Sequence, residues 1–167
     1  LEVGNYVFKC TVWDTYNNLE MDLINVTVQD TTSPQLDTAD PDLQYEYGND
    51  NQYISWTWSD ASPDHYEILR NGSIIESNTW SSGIPINITV SGLELGTYEY
   101  TCIVNDTFGL VNQHSIIVEV VDTTPPTLVD VPSDIFYAQG STGNEINWTW
   151  FDLKPGKYNI TQNTSLI

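Results

Sequence analysis

Apolar and polar residues alternate with a period of two through most of this chain, the signature of strands with one buried and one solvated face. Residues 52–59 put Ile54, Trp56 and Trp58 on one side and Tyr53, Ser55, Thr57 and Ser59 on the other. Residues 65–71 set Tyr66 and Ile68 inward, and 85–90 do the same with Ile86, Ile88 and Val90. Residues 97–105 align Tyr98, Tyr100, Cys102 and Val104, and 115–121 align Ile116, Val118 and Val120. A first edge strand is expected over 43–47 and a short returning strand over 73–76. Turn residues separate these runs. Asn71-Gly72 is the strongest hairpin signal, because both central positions of a type I′ turn need positive φ. Gly48-Asn-Asp-Asn51, Asp60-Ala-Ser-Pro63 and Asp106–Gly109 supply further turn chemistry. No stretch carries a helical period, so the chain is expected to be all-β.

The same text occurs twice. Shifting the chain by 92 residues aligns 1–75 with 93–167 without a gap, and about 30 of the 75 pairs are identical. Leu93-Glu-Leu-Gly-Thr-Tyr98 repeats Leu1-Glu-Val-Gly-Asn-Tyr6, and Ile146, Trp148 and Trp150 repeat the inward set Ile54, Trp56 and Trp58. Tyr158 and Ile160 likewise repeat Tyr66 and Ile68. The division this implies is the C-terminal part of one repeat (1–29), one complete repeat (30–121) and the N-terminal part of the next (122–167). The counterpart of residues 76–92 occurs in neither flank. The segment therefore reads as a window on a longer tandem array, joined by Pro-stiffened linkers, Asp30-Thr-Thr-Ser-Pro34 and Asp122-Thr-Thr-Pro-Pro126.

Trp on the second strand, Tyr-x-Ile on the third, Leu-x-x-Gly-x-Tyr before the sixth and Asp-x-x-Gly after it resemble fibronectin type III and related immunoglobulin-like modules. That resemblance implies β-sandwiches in which Leu93 and Tyr98, and in the first copy Leu1 and Tyr6, pin the connection between two sheets. The Asp-Thr-Thr-Pro-Pro junction is similar to the linkers of hyalin-type and of bacterial or archaeal cell-surface repeats, and together with the many sequons of the chain it leans archaeal. The lone Cys on the sixth strand departs from the immunoglobulin pattern, so its disulfide is not expected.

Charge narrows the function classes. Four Lys and Arg stand against 23 Asp and Glu, a net charge of −19, which argues against nucleic acid and against anionic lipid as partners. No apolar run is long enough to cross a bilayer and no leader is evident, so the segment reads as a mature piece of an exported protein with no membrane contact of its own. Cys10 and Cys102 occupy the same repeat position about a module length apart, too far for one disulfide. They are expected as buried free thiols, an intermolecular bridge being the alternative.

Seven Asn-x-Ser/Thr sequons are present, at Asn25, Asn71, Asn87, Asn105, Asn147, Asn159 and Asn163. By strand parity all fall on outward or turn positions, which suits N-linked glycans on an extracellular protein; a Thr- and Asn-rich β surface also generates such triplets by chance. Asp30, Asp60 and Asp106 occupy the chain entry and two loops that gather at one end of a fibronectin-like sandwich. Asp122 and Asp152 take the matching places at the next junction. Such carboxylates suit Ca²⁺, which takes six to eight oxygens; turn capping by Asp is the alternative. No cofactor is required. Catalysis has little support: no nucleophile motif or zinc spacing occurs, and His65 and His114 are unrepeated and expected at the surface. Trp56, Trp58, Tyr66, Tyr98 and Tyr100 could form a sugar platform, but their parity points inward, leaving Tyr53 and Trp80 as the expected exposed aromatics. The function expected is a structural segment of a glycosylated surface stalk, adhesin spacer, fibre or S-layer, at the cell surface, partnered by other copies of itself or by surface glycans. Alternatives are a carbohydrate-binding or adhesion module, or accessory repeats of a secreted hydrolase.

Overall fold

The computed structural model describes residues 1–162 and the strand positions Ser165 and Leu166, and every regular element among them is a strand. The chain opens with β1 (Gly4–Trp13) and β2 (Leu19–Val28), an antiparallel hairpin in register from Gly4↔Val28 to Trp13↔Leu19. Then follow β3 (Gln35–Ala39), β4 (Leu43–Glu46), β5 (Tyr53–Ser59), β6 (Pro63–Arg70), β7 (Ser73–Thr79), β8 (Ile86–Thr89), β9 (Gly96–Asp106) and β10 (Val111–Val121). They form a three-stranded sheet, β3-β5-β8, and a five-stranded sheet, β4-β10-β9-β6-β7. β11 (Thr127–Asp130) pairs with β12 (Thr149–Phe151), and β13 (Thr161–Gln162) with β14 (Ser165–Leu166).

Two sheets whose strands bury alternate residues make an immunoglobulin/fibronectin III-like β-sandwich. β5 has Ile54, Trp56 and Trp58 at 1% exposure or less, with Ser55, Thr57 and Ser59 between them half-buried. β6 buries Tyr66 and Ile68, β8 Ile86 and Ile88, and β9 Tyr100, Cys102 and Val104. Each such side chain removes apolar surface from water, worth roughly 1.5–3 kcal/mol. β4 runs parallel to β10, Leu43 beside Val118 and Val120 beside Tyr45. β6 and β7 close through Asn71-Gly72, with φ of 50° and 78°, as a type I′ turn requires.

By backbone proximity the chain forms two compact units. Leu1–Pro41, Ile54–Ile88 and Glu99–Ile116 make the first; Asp42–Tyr53, Thr89–Tyr98 and Ile117–Ile167 make the second. The first holds the Trp-rich core. The second has a smaller one of Tyr45, Val90, Val118 and Val120, in which the Tyr45 hydroxyl donates to the Val90 carbonyl at 2.5 Å.

Several expectations need correction. β3 was not expected: Gln35-Leu-Asp-Thr-Ala39 has two apolar residues, and its pairing with β5 shifts register between Leu36 and Thr38, which erases the period of two. Trp80 is 6% exposed rather than a surface aromatic, because its indole N–H donates to the Asn105 carbonyl at 2.9 Å. His65 and His114 are half-buried. His65 Nε2 lies 2.7 Å from Ser77 Oγ, and His114 Nδ1 accepts from the Trp56 indole at 3.2 Å. Cys102 is a buried free thiol, but Cys10 is an exposed one. Ile146, Trp148, Trp150 and Tyr158 are 50%, 44%, 57% and 83% exposed. Their sequence matches an inward set, but a face is buried only where a second sheet covers it.

Candidate functional site: a carboxylate cluster at one end of the sandwich

Two strand registers bring Asp30, Asp60 and Asp106 together. Gln35 pairs with Ser59, so the linker that begins at Asp30 enters beside the β5–β6 loop that begins at Asp60. Pro63 pairs with Asp106, so the same loop borders the end of β9. Thr107 N donates to the Ser62 carbonyl at 2.9 Å, which pins the loop to the β9–β10 turn, and Asn112 Nδ2 to the Pro34 carbonyl at 2.8 Å, which pins the linker to the start of β10. Each of the three aspartates offers a carboxylate oxygen, and these oxygens lie within 4.8 Å of one another.

The carboxylates are held in one manner. Asp106 Oδ1 accepts from the backbone amides of Phe108 (2.9 Å) and Leu110 (2.8 Å). Asp30 Oδ1 accepts from the Thr32 amide (3.0 Å) and hydroxyl (2.7 Å), and Asp60 Oδ1 from the Ser62 amide (2.7 Å). The Thr32 hydroxyl, aided by its amide, holds the Asp30 carboxyl below its ordinary pKa. One oxygen of each group thus caps a turn. The other oxygens of Asp30 and Asp106 are buried and make no hydrogen bond, although the Ser62 hydroxyl is close enough to the Asp30 carboxylate to help hold its pKa down. Asp106 as a residue is 1% exposed. Among the described residues the ion pair is that of Lys154 and Glu94 at 2.5 Å, so no Lys, Arg or His neutralises the cluster.

Asp122 and Asp152 repeat part of this arrangement in the second unit. Thr124 N donates to Asp122 Oδ1 at 3.3 Å and Lys154 N to Asp152 Oδ1 at 2.6 Å, matching the Asp30–Thr32 and Asp60–Ser62 turns. Both line a small cleft with Glu46, Tyr47 and Phe151, and they do not belong to a converging group of three carboxylates among the described residues. Glu46 is occupied: its carboxylate accepts from the Thr123 amide and hydroxyl, which hold its pKa down. The counterpart of Asp106 in the first copy is Asp14, a residue the sequence reading passed over although the 92-residue shift points to it. Asp14 Oδ1 accepts from the Tyr16 and Asn18 amides at 2.8 and 2.9 Å, as Asp106 does from Phe108 and Leu110. Its Oδ2, however, accepts from Asn18 Nδ2 at 2.7 Å. Leu110 stands at that position beside Asp106, so the second oxygen there has no such partner.

Of the sequons, Asn25, Asn71, Asn87, Asn147 and Asn159 are exposed. Asn105 differs: it is half-buried, and its Nδ2 donates to Asp64 Oδ2 and to the Asp106 carbonyl, both at 3.1 Å. Asn163 lies outside the described residues. Of the two aromatics expected at the surface, Tyr53 is 64% exposed and borders a shallow depression with Gln52, Thr89 and Ser91.

No family model matches the chain, and no curated protein matches it. Among solved structures it is similar to the fibronectin(III)-like modules of Clostridium thermocellum CbhA, at 22% identity over 52% of this chain and 93% of that one, with a TM-score of 0.40.

Proposed function

We propose that this chain is a structural segment of a tandem array of immunoglobulin/fibronectin III-like repeats in an extracellular, N-glycosylated surface protein of archaeal type. The complete repeat is 30–121, flanked by the closing strands of one repeat (1–29) and the opening strands of another (122–167). The array serves as a stalk, spacer or fibre, and its partners are further copies of itself.

The observation that carries this reading is that the same closing corner is built twice, 92 residues apart. Tyr98 Oη donates to the Glu94 carbonyl at 3.0 Å, and Tyr6 Oη to the Glu2 carbonyl at 2.8 Å. Repetition of a corner along with its sequence supports the reading of tandem modules, which gain reach by adding units. Supporting it, the first linker is anchored by Asn112 on the Pro34 carbonyl, five sequons are exposed, and a net charge of −19 favours a solvated, non-aggregating surface. No helix among the described residues is long and apolar enough to cross a membrane. Electron microscopy of native material tests the reading. Thin beaded rods or fibres with a repeat of one sandwich length are expected, and compact particles bearing a catalytic domain would sink it.

A further inference from the structure

We propose that Asp30, Asp60 and Asp106 hold a calcium ion that clamps the linker after β2 to the loops at this end of the sandwich. Acidic turn residues are common and a cluster alone means little. What singles this one out is Asp106, 1% exposed, with Oδ2 buried and unpartnered in the group of three. A buried ionised oxygen without a donor is costly unless a cation or a proton compensates it. Asp30 Oδ2 is likewise buried without a hydrogen bond, though the Ser62 hydroxyl is near that carboxylate, and among the described residues no basic side chain is paired with the cluster.

The donor chemistry selects the ion. All three ligands are carboxylates, with no Cys or His in the group, which favours a hard cation over zinc. Oxygens bound at about 2.3–2.6 Å to one calcium are separated by at most about 5 Å, and these oxygens lie within 4.8 Å. The amides of Thr32, Ser62, Phe108 and Leu110 hold one oxygen, Oδ1, of each carboxylate, much as outer-shell hydrogen bonds orient metal-ligating carboxylates. Asp14 supplies an internal contrast. Its turn is the same, yet Asn18 caps its second oxygen, so the ligand position at Asp106 is a departure from the repeat and not a by-product of the turn. Modules outside the cell meet calcium at levels that match weak sites of about 10⁻⁴–10⁻³ M. The site needs nothing from the array reading and is tested separately from it.

The experiment is calorimetric titration of the 167-residue chain, stripped with EDTA, with Ca²⁺ alone and Mg²⁺ alone, alongside thermal unfolding in each. One bound Ca²⁺ per chain and a rise in Tm of about 3–10 °C at about 10 mM Ca²⁺ are expected, with a smaller response to Mg²⁺. Asp106→Asn keeps the oxygen that caps the turn and replaces the free one by an amide. It should fold with a Tm in EDTA close to that of the parent, and lose calcium binding at least tenfold. Terbium luminescence sensitised by nearby Trp reads the same site directly, and Ca²⁺ should quench it in the parent chain. No heat, no Tm response and no terbium signal would overturn the proposal. So would a parent chain stabilised by acidification alone, since a shared proton would then compensate the cluster. Unchanged calcium affinity in folded Asp106→Asn would overturn it as well.

Discussion

Asp106 and Cys102, four residues apart on the buried face of β9, show how position decides what a polar side chain does. The Asp106 carboxylate accepts two turn amides, so Asp106→Ala leaves two donors without their partner and should cost about 1–3 kcal/mol. Asp106→Asn retains an accepting oxygen and should cost much less; urea unfolding in EDTA, where metal plays no part, ranks the two. At Cys102 burial pushes the thiol pKa from 9.0 up to about 12, against a smaller pull from the Trp58 indole. Tyr66 is also raised, from 10.0 to about 12, first by burial and then by Glu76, whose carboxylate accepts its hydroxyl. The sign follows from linkage. In the unfolded chain these groups ionise near 9 and 10, while in the folded chain they keep their protons to about 12. Their contribution is intact below pH 9 and is lost as pH rises toward 12. Stability should therefore fall with pH across that window, by up to about 1.4 kcal/mol per unit for each group. Cys102→Val should flatten the decline in the urea midpoint; an equal slope in the variant would count against the assignment.

At the scale of the element, strands carrying a strict alternation were legible in advance, because an apolar face repeated every second residue has one way to be buried. β5, β6, β8, β9 and β10 are all of this kind, and Asn71-Gly72 announced the β6–β7 turn. β3 was illegible because the bulge beside Leu36 breaks its period. Trp80 was misread because 76–92 has no second copy to compare and because its burial depends on a carbonyl 25 residues away. The Asp cluster was half legible: turn chemistry located each carboxylate, but which oxygens lack donors depends on strand register. Sequon parity was legible on β8, where Asn87 alternates with buried Ile86 and Ile88, while Asn25 on β2 is exposed along with most of its neighbours. Asn105 also keeps the outward parity, between the buried residues Val104 and Asp106 at the end of β9, but it is half-buried and its amide turns back onto Asp64. A glycan on Asn105 would have to displace both hydrogen bonds of its Nδ2. Mass spectrometry of native peptides should accordingly find Asn25, Asn71 and Asn87 occupied and Asn105 bare. Full occupancy of Asn105 would show that glycan is attached before this end of β9 folds.

For the molecule as a whole, the instructive comparison is between two copies of one hairpin. In β9–β10 the apolar face is buried: Tyr100, Cys102, Val104, Ile116, Val118 and Val120 are at 3% exposure or less. In β1–β2 the matching residues Phe8, Val12 and Ile24 are 51%, 60% and 58% exposed, and Cys10 is exposed with them. The sequence of the face is nearly the same, so the difference lies in what covers it. Residues 30–92 bury an apolar set of their own, among them Ile54, Trp56, Trp58, Ile86 and Ile88. If the chain is a segment of a tandem array, a preceding repeat supplies such a set to cover β1–β2. The 92-residue period gives a direct test, because Gly92 is followed by Leu93 and Leu1 is its counterpart. A chain in which a second copy of residues 30–92 is placed before Leu1 should close a sandwich over the hairpin. Thiol labelling at pH 8 should modify one cysteine, Cys10, in the 167-residue chain and neither in the extended one, with both reacting in denaturant. The extended chain should also bind less of a dye that reports exposed apolar surface, since burying a face of this kind removes a patch that would otherwise associate. Labelling of Cys10 at an unchanged rate would mean that β1–β2 is not the closing half of a repeat, and the tandem reading would fall with it.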